Sequence, residues 1–130
     1  MMSEDALLPL ARSLAETKGW DDFTRTLMLT GKALAPLPEE ARTDKNAVEG
    51  CESPVWIAFS DGEARVMAYS PSKVIRGVLA VLLEKANTLT KQQRKEFDYA
   101  QYLSRCQLER YLSESRGNGI KSVIAKLKSF

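Results

Sequence analysis

The segment best suited to chemistry is the run Val48–Trp56, which reads Val-Glu-Gly-Cys-Glu-Ser-Pro-Val-Trp and contains Cys51. Glycine, serine and proline beside a cysteine are typical of a loop, and the apolar residues that follow are typical of a strand. The pattern predicts a thiol held out on a loop tip. The sequence has no histidine, so no imidazole can serve as a base for this thiol. Cysteine catalysis that depends on a histidine is therefore excluded.

Metal binding is disfavoured by the same composition. Zinc sites draw mostly on cysteine and histidine, and the chain has two cysteines and no histidine. An Asp-rich loop of the type that binds calcium is also missing from the sequence. We expect neither a metal nor a cofactor bound to this chain.

The charges near Cys51 act on its thiol in opposite directions. A free cysteine has a pKa near 8.5, so about 3% is thiolate at pH 7, and the thiolate is the nucleophile. A nearby arginine, with the backbone amides around Gly50 and Ser53, would lower this pKa. Glu49 and Glu52 would raise it. The loop is therefore not obviously tuned for attack on arbitrary disulfides or peroxides.

The other cysteine and the composition of the chain limit the class of protein to which it can belong. Cys106 lies among apolar residues on a predicted helix, which is typical of a buried structural cysteine. The N-terminus, Met1–Asp5, is acidic where a signal peptide would be basic, and we expect a reducing cytoplasm. The sequence predicts no membrane span. The net charge of +2 is too small to indicate nucleic acid or membrane binding.

Helical periodicity and capping residues predict most of the chain to be helical. Trp20 is expected just before the second helix, as a hydrophobic staple. The segment Phe97–Leu103 reads as a connection. The predicted helices are Asp5–Glu16, with a cap at Ser3 or Asp5, a second from Asp21 or Asp22 to Ala33, a third from Pro71 or Lys73 to Ala86, with a cap at Ser70 or Ser72, Thr90–Arg94, Arg105–Leu112, and a last helix from Ser113–Ser115 to near Phe130.

Between the second and third helices the apolar period changes to that of strands. Val48–Phe59 and Ala64–Tyr69 read as strands, joined by a tight turn at Asp61-Gly62. A short strand at Asn46–Glu49 would add a third. The prediction is an α+β fold in two layers, with a small three-stranded antiparallel sheet packed on helices, and residues 1–130 form one domain.

The run Gly50–Trp56 resembles the Gly-Cys-x-Ser-x-Val-Trp signature of the SufE family of sulfur acceptors. Further matches follow in the order and spacing that the family shows, so the resemblance covers nearly the whole chain. These matches are Trp20 with Asp22, Gly31-Lys32, Ile75–Ala80, and Ser113–Ile120.

The resemblance implies a SufE/IscU-like fold and a role in sulfur transfer. A partner cysteine desulfurase of the SufS or CsdA type holds the pyridoxal phosphate and carries sulfur as a persulfide. Cys51 would take this sulfur by transpersulfuration and pass it to an iron–sulfur scaffold or another acceptor. The protein would stimulate the desulfurase rather than act as a stand-alone enzyme, and its choice between the SufE and CsdE roles stays open.

The resemblance also assigns roles to residues around Cys51. Arg116 matches the arginine of a Ser-Arg-x-x-Gly segment and would stabilise the thiolate or persulfide. Gly50 would permit the loop turn, and Ser53 would hydrogen-bond the loop or the sulfur. The chain departs from the family at Pro54, which removes a backbone donor. Further departures are Glu52 and the run Tyr69–Ser72, which lacks the family's acidic residue.

Three other functions stay open at this point. A stand-alone thiol peroxidase or thioltransferase is disfavoured because the chain shows no Cys-x-x-Cys pair or nearby resolving cysteine. An iron–sulfur scaffold is disfavoured because cluster binding usually needs more cysteines than two. A binding module with an inert cysteine is the third. The sequence leaves a monomer and a homodimer open.

Overall fold

The computed structural model describes residues 7–49, 53–112 and 114–130, without the side chains of residues 112–118. Within these ranges the fold is α+β, with six α-helices and one antiparallel pair of strands. Four short 3-10 turns connect them. The helices are α1 (Pro9–Ala15), α2 (Trp20–Thr30), α3 (Lys73–Ala86), α4 (Lys91–Glu96), α5 (Tyr99–Arg105) and α6 (Glu114–Ser129), the strands are β1 (Trp56–Ser60) and β2 (Arg65–Tyr69), and the 3-10 turns are Gly31–Ala33, Glu39–Ala41, Asp44–Asn46 and Glu109–Leu112.

The described part of the sheet has two strands, so the predicted third strand is wrong. The register pairs Trp56 with Tyr69 and Ser60 with Arg65. In place of a strand at 46–49, Asn46 ends a 3-10 turn, and Ala47 forms an isolated antiparallel bridge with Trp56. The 3-10 turn takes Asn46, the first residue of the predicted strand, so the pairing is limited to this bridge and to the hydrogen bond from Val48 to Val55.

The hairpin turn is longer than the sequence suggested. β1 ends at Ser60 and β2 begins at Arg65, so four residues form the turn instead of the pair Asp61-Gly62. The positive φ of 55° falls on Ala64 and not on Gly62. The hairpin was predicted correctly, but its turn type was not.

Helix α3 forms the centre of the core. Its cap is Ser72, whose hydroxyl accepts the backbone N–H of Ile75 at 3.3 Å. Gly77 allows α2 to approach closely, since a Cβ at this position would collide with the carbonyl oxygen of Leu27. The buried residues of α3 that fill the core are Val78, Leu79, Ala80, Val81, Leu82, Leu83 and Ala86.

The edge of β2 is satisfied by a side chain of the turn after α3. Asn87 accepts the backbone N–H of Val66 at 2.8 Å and donates to the Val66 carbonyl oxygen at 3.1 Å. Val66 is 1% exposed. Asn87 therefore covers this part of the edge, while the backbone N–H of Leu37 donates to the carbonyl oxygen of Ala68 at 3.0 Å further along it.

The region after α3 differs from its prediction. The predicted helix at Thr90–Arg94 is present as α4, and Thr90 forms a capping box with Gln93. The segment 97–103, predicted as a connection, contains most of helix α5, which begins after its cap Asp98. The predicted helix at 105–112 is a turn followed by a 3-10 segment, because Gln107 has a φ of 66°.

The N-terminal region is also shorter in helix than predicted. α1 begins at Pro9, and the carboxylate of Glu84 accepts the Leu10 N–H at 3.0 Å. The predicted cap residues lie outside the described ranges. Trp20 is the first residue of α2 rather than a staple before it, and it is 55% exposed. It stacks on Phe23 instead of entering the core.

No helix within the described ranges is both long and apolar enough to cross a membrane.

Candidate functional site

The structure describes the surroundings of the predicted site but not its central residues. Gly50 and Cys51 lie outside the described residues, and so does the side chain of Arg116. The backbone of Arg116 belongs to the first turn of α6. The proximity of Arg116 to Cys51 therefore stays a prediction.

The loop that contains Cys51 has a fixed base. The backbone N–H of Val48 donates to the carbonyl oxygen of Val55 at 2.8 Å, and the bridge between Ala47 and Trp56 continues this pairing. Val48 and Val55 are 7% and 1% exposed. Two buried β-branched side chains thus hold both ends of segment 49–54 in the core, while Glu49 is exposed to solvent.

Helix α6 contacts the base of this loop. The Nζ atom of Lys126 donates to the carbonyl oxygen of Ala47 at 3.3 Å. Arg116 is on the same helix, and its backbone is about 15 Å from that of Lys126, given the rise of 1.5 Å per residue. The loop base and the helix that carries Arg116 are therefore joined directly. Sequence reasoning missed Lys126, because its contact depends on tertiary packing.

Ser53 is the member of the predicted site whose side chain the structure describes. It is half-buried, at a bend that follows segment 50–52. Its hydroxyl has no hydrogen bond to another described residue. A bond from Ser53 to the sulfur of Cys51 stays a prediction.

An aromatic and cationic group, the Tyr69 cluster, lies at the point where the loop enters β1. It consists of Arg42, Trp56, Tyr69 and Arg76. Trp56 stacks on its strand partner Tyr69, with ring centres 6.4 Å apart. The Cζ atoms of Arg42 and Arg76 lie 3.6 and 5.2 Å from the Tyr69 ring centre. Both distances allow cation–π attraction.

Hydrogen bonds to backbone carbonyls fix both arginines of the Tyr69 cluster. Arg42 donates from Nε to Leu37 at 2.9 Å. Arg76 donates from Nε to Ser70 at 3.0 Å. Sequence analysis missed this cluster, although the predicted hairpin was a signal that Trp56 and Tyr69 could pair.

The second cysteine, Cys106, is buried, as predicted. Cys106 is fully buried, and its thiol contacts the carbonyl oxygens of Tyr102 and Leu103 at 3.6 and 3.4 Å. Burial raises the pKa of Cys106 to about 12, because the apolar surroundings disfavour the thiolate. At neutral pH this cysteine is neither a nucleophile nor an accessible resolving thiol.

The described residues contain no group of three or more Cys, Asp or Glu side chains placed to hold a metal ion. Among the described residues, a surface groove of about 450 Å³ lies between α5 and α6, and another of about 360 Å³ lies between α3 and the β2 edge. Neither groove is lined by residues of the loop base.

Comparison with known proteins shows which family this chain resembles. The family model for SufE, described as an Fe-S metabolism associated domain, matches residues 9–130. An uncharacterised SufE-like protein of Rhizobium meliloti (strain 1021) is 31% identical over 116 residues, which cover 85% of this chain and 83% of that protein.

Proposed function

The chain belongs to the SufE family, which is associated with iron–sulfur metabolism, and from this premise we propose that it is a sulfur acceptor. It takes persulfide sulfur from a cysteine desulfurase of the SufS or CsdA type onto Cys51. The observation that carries the proposal is the fixed loop base, in which Val48 and Val55 hold the segment around Cys51 between buried ends. The chain passes the sulfur to an iron–sulfur scaffold or another acceptor.

The transfer step needs a thiolate at Cys51 and an activated sulfur on the partner. The Cys51 thiolate attacks the outer sulfur of the partner's persulfide. A new sulfur–sulfur bond forms at Cys51 while the bond in the partner breaks, and the partner cysteine leaves as a thiolate that takes up a proton. The sulfane sulfur keeps its oxidation state, so no oxidant or reductant is consumed. A chain without histidine can carry out this exchange, since no proton relay is required.

The roles of the remaining site residues follow from this step. Arg116 stabilises the negative charge on the sulfur of Cys51, against the opposing charges of Glu49 and Glu52. Gly50 permits the turn that presents Cys51, and Ser53 hydrogen-bonds the loop. Pyridoxal phosphate stays with the desulfurase, and the acceptor chain needs no cofactor of its own.

The thiol peroxidase or thioltransferase alternative gains no support. Such enzymes often use a resolving thiol or a reactive dithiol. Cys106 is buried and its pKa is about 12, so it can provide neither without a large rearrangement.

Stimulation of a desulfurase tests the proposal. We expect the protein to increase the rate at which a SufS-type desulfurase converts cysteine to alanine, with saturation as its concentration rises. Cys106→Ala is the matched control and keeps the stimulation, whereas Cys51→Ser removes it. Equal stimulation by Cys51→Ser and by the unmodified protein would overturn the proposal.

The role of Arg116 has its own test. Arg116→Ala should slow sulfur transfer to Cys51 while circular dichroism and thermal unfolding stay near those of the unmodified protein. Lys121→Ala, an exposed cation on the same helix, is the control for loss of charge. Equal transfer rates in the two variants would remove Arg116 from the mechanism.

A further inference from the structure

The Tyr69 cluster contains two cations that the described part of the chain does not neutralise. Arg42 and Arg76 form no ion pair within it, whereas Arg65 pairs with Glu63 at 3.4 Å. Their Cζ atoms lie within about 9 Å of each other, since both are close to one ring centre, and at that separation like charges repel each other. An anion bound beside the two guanidinium groups would relieve this repulsion.

The geometry of the two guanidinium groups is suited to a carboxylate. Arg42 uses Nε for Leu37, and Arg76 uses Nε for Ser70 and Nη2 for a longer bond of 3.4 Å to Pro71. A guanidinium has five N–H donors, so several remain for a ligand. The ring and the carbonyl contacts hold both groups in place, which reduces the entropy lost on binding. A planar fork held in this way can bind a carboxylate through two parallel hydrogen bonds.

The cluster is only partly covered, so a ligand can reach it. Arg42, Trp56, Tyr69 and Arg76 are all half-buried. Aromatic residues and arginine are enriched at protein interfaces, where they carry a large part of the binding energy. The composition of the cluster therefore favours a protein partner over a small free anion.

The position of the cluster relative to Cys51 points to the protein that delivers sulfur. Trp56 is five residues after Cys51, and five residues of chain cannot span more than about 18 Å. A stable interface covers about 800 Å² on each partner, which corresponds to a disc with a radius of about 16 Å. Because these two lengths are similar, a desulfurase whose persulfide reaches Cys51 has surface at or near the Tyr69 cluster.

We propose that Arg42 and Arg76, held against Tyr69, bind an acidic side chain of the cysteine desulfurase and so dock the partner beside the Cys51 loop. This inference rests on the proposed function and adds the docking chemistry to it. The arginines act on the encounter and not on the sulfur exchange. Their removal should weaken docking and leave the chemistry of a docked complex unchanged.

The test measures single-turnover sulfur transfer to Cys51 at increasing concentrations of a persulfide-loaded desulfurase. Arg42→Gln and Arg76→Gln should each raise the half-saturating concentration about tenfold, an effect expected for one charge-assisted contact. The maximal rate of transfer, reached at saturating desulfurase, should be unchanged. Arg25→Gln, which removes an exposed cation from α2, should leave it unchanged. Added salt should weaken transfer to the unmodified protein more than transfer to the two variants.

Alkylation of Cys51 by the neutral reagent iodoacetamide separates docking from damage to the loop. The docking account predicts equal alkylation rates in the unmodified protein and both arginine variants. A slower rate in both variants would mean that the arginines shape the loop, and would overturn the docking role.

The remaining outcomes distinguish the two proposals. If the unmodified protein accepts sulfur but both variants keep its half-saturating concentration, docking by Arg42 and Arg76 is wrong and the acceptor function stands. If the unmodified protein accepts no sulfur at any concentration, the acceptor function fails and the docking role fails with it. If the variants lose binding to a DNA duplex while sulfur transfer is unchanged, the surface binds nucleic acid and the inference is overturned.

Discussion

The backbone N–H of Val48 lies 2.8 Å from the carbonyl oxygen of Val55 and donates a hydrogen bond to it. This bond joins the two chain ends that flank segment 49–54. Closing a loop costs conformational entropy, and here buried valines and a strand-type bond offset that cost. The loop predicted to present the reactive thiol is therefore built on a rigid base.

Removal of the Lys126 amine should loosen this base. Lys126→Met keeps most of the apolar stem but loses the bond to Ala47, at a cost of about 1 kcal/mol. We expect faster hydrogen exchange at the Val48 amide, measured by NMR under native conditions. Lys121→Met is the matched control on the same helix and should leave that exchange rate unchanged. Equal rates in the two variants would show that Lys126 does not hold the loop base.

Asn87 should matter more for stability than its place in a turn suggests. Asn87→Ala removes two hydrogen bonds from Val66, a residue whose backbone groups are buried. Loss of these partners should reduce the free energy of unfolding by about 2 kcal/mol. Urea denaturation measures this as a lower midpoint with an unchanged slope. Gln92→Ala, which removes an exposed bond to Glu96, should cost less than about 0.5 kcal/mol. Similar losses in the two variants would contradict the role of Asn87.

Gly77 should not tolerate a methyl group. An added Cβ would meet both the carbonyl oxygen and the Cδ1 atom of Leu27. Overpacking of this kind costs up to about 3 kcal/mol, which exceeds the gain of about 1 kcal/mol in helix propensity. We expect Gly77→Ala to lower the free energy of unfolding by about 2 kcal/mol. Gly62→Ala, where nothing lies within 4 Å, is the control. A Gly77→Ala variant as stable as Gly62→Ala would show that α2 and α3 pack less closely than described.

Alkaline pH should destabilise the fold. Burial raises the pKa of Cys106, Tyr99 and Tyr102 to about 12 each. Between the unfolded pKa and this value, the folded protein holds protons that the unfolded chain releases. The free energy of unfolding therefore falls as the pH rises from about 8.5 towards 12. Urea unfolding at several pH values checks this, and Cys106→Ala should show a shallower decline. A constant or rising stability in this range would contradict the cause given for the shifts.

Local signals predicted much of the helical structure. A capping serine, Ser70 or Ser72, followed by an amphipathic run predicted α3, and the observed cap is Ser72. The short helix predicted at Thr90–Arg94 is α4, which begins with a capping box of Thr90 and Gln93. The same kind of signal was present at Asp98, whose side chain accepts the Gln101 N–H at 3.0 Å. The sequence analysis nevertheless predicts Phe97–Leu103 as a connection. The sequence therefore contains a signal for the start of α5, and the prediction of a connection there was wrong.

Long-range packing explains what the sequence did not reveal. The bridge between Ala47 and Trp56 shows that the chain before the loop pairs with β1, but a 3-10 turn limits the pairing. The contact of Arg42 with the Tyr69 ring depends on how the segment before the loop crosses the sheet. No periodicity in the sequence carries that information. The proposal that Cys51 accepts the sulfur comes instead from the resemblance of the residues around it.

The central claim is that Cys51 receives the sulfur, and the most direct test is the mass of each cysteine-containing peptide. The protein is incubated with a SufS-type desulfurase and cysteine, and non-reduced tryptic peptides are analysed. We predict one added sulfur atom on the peptide that contains Cys51, in the unmodified protein and in Cys106→Ala. The same adduct should be absent from Cys51→Ser. Sulfur found on Cys106, or no adduct at Cys51 while the desulfurase consumes cysteine, would contradict the account.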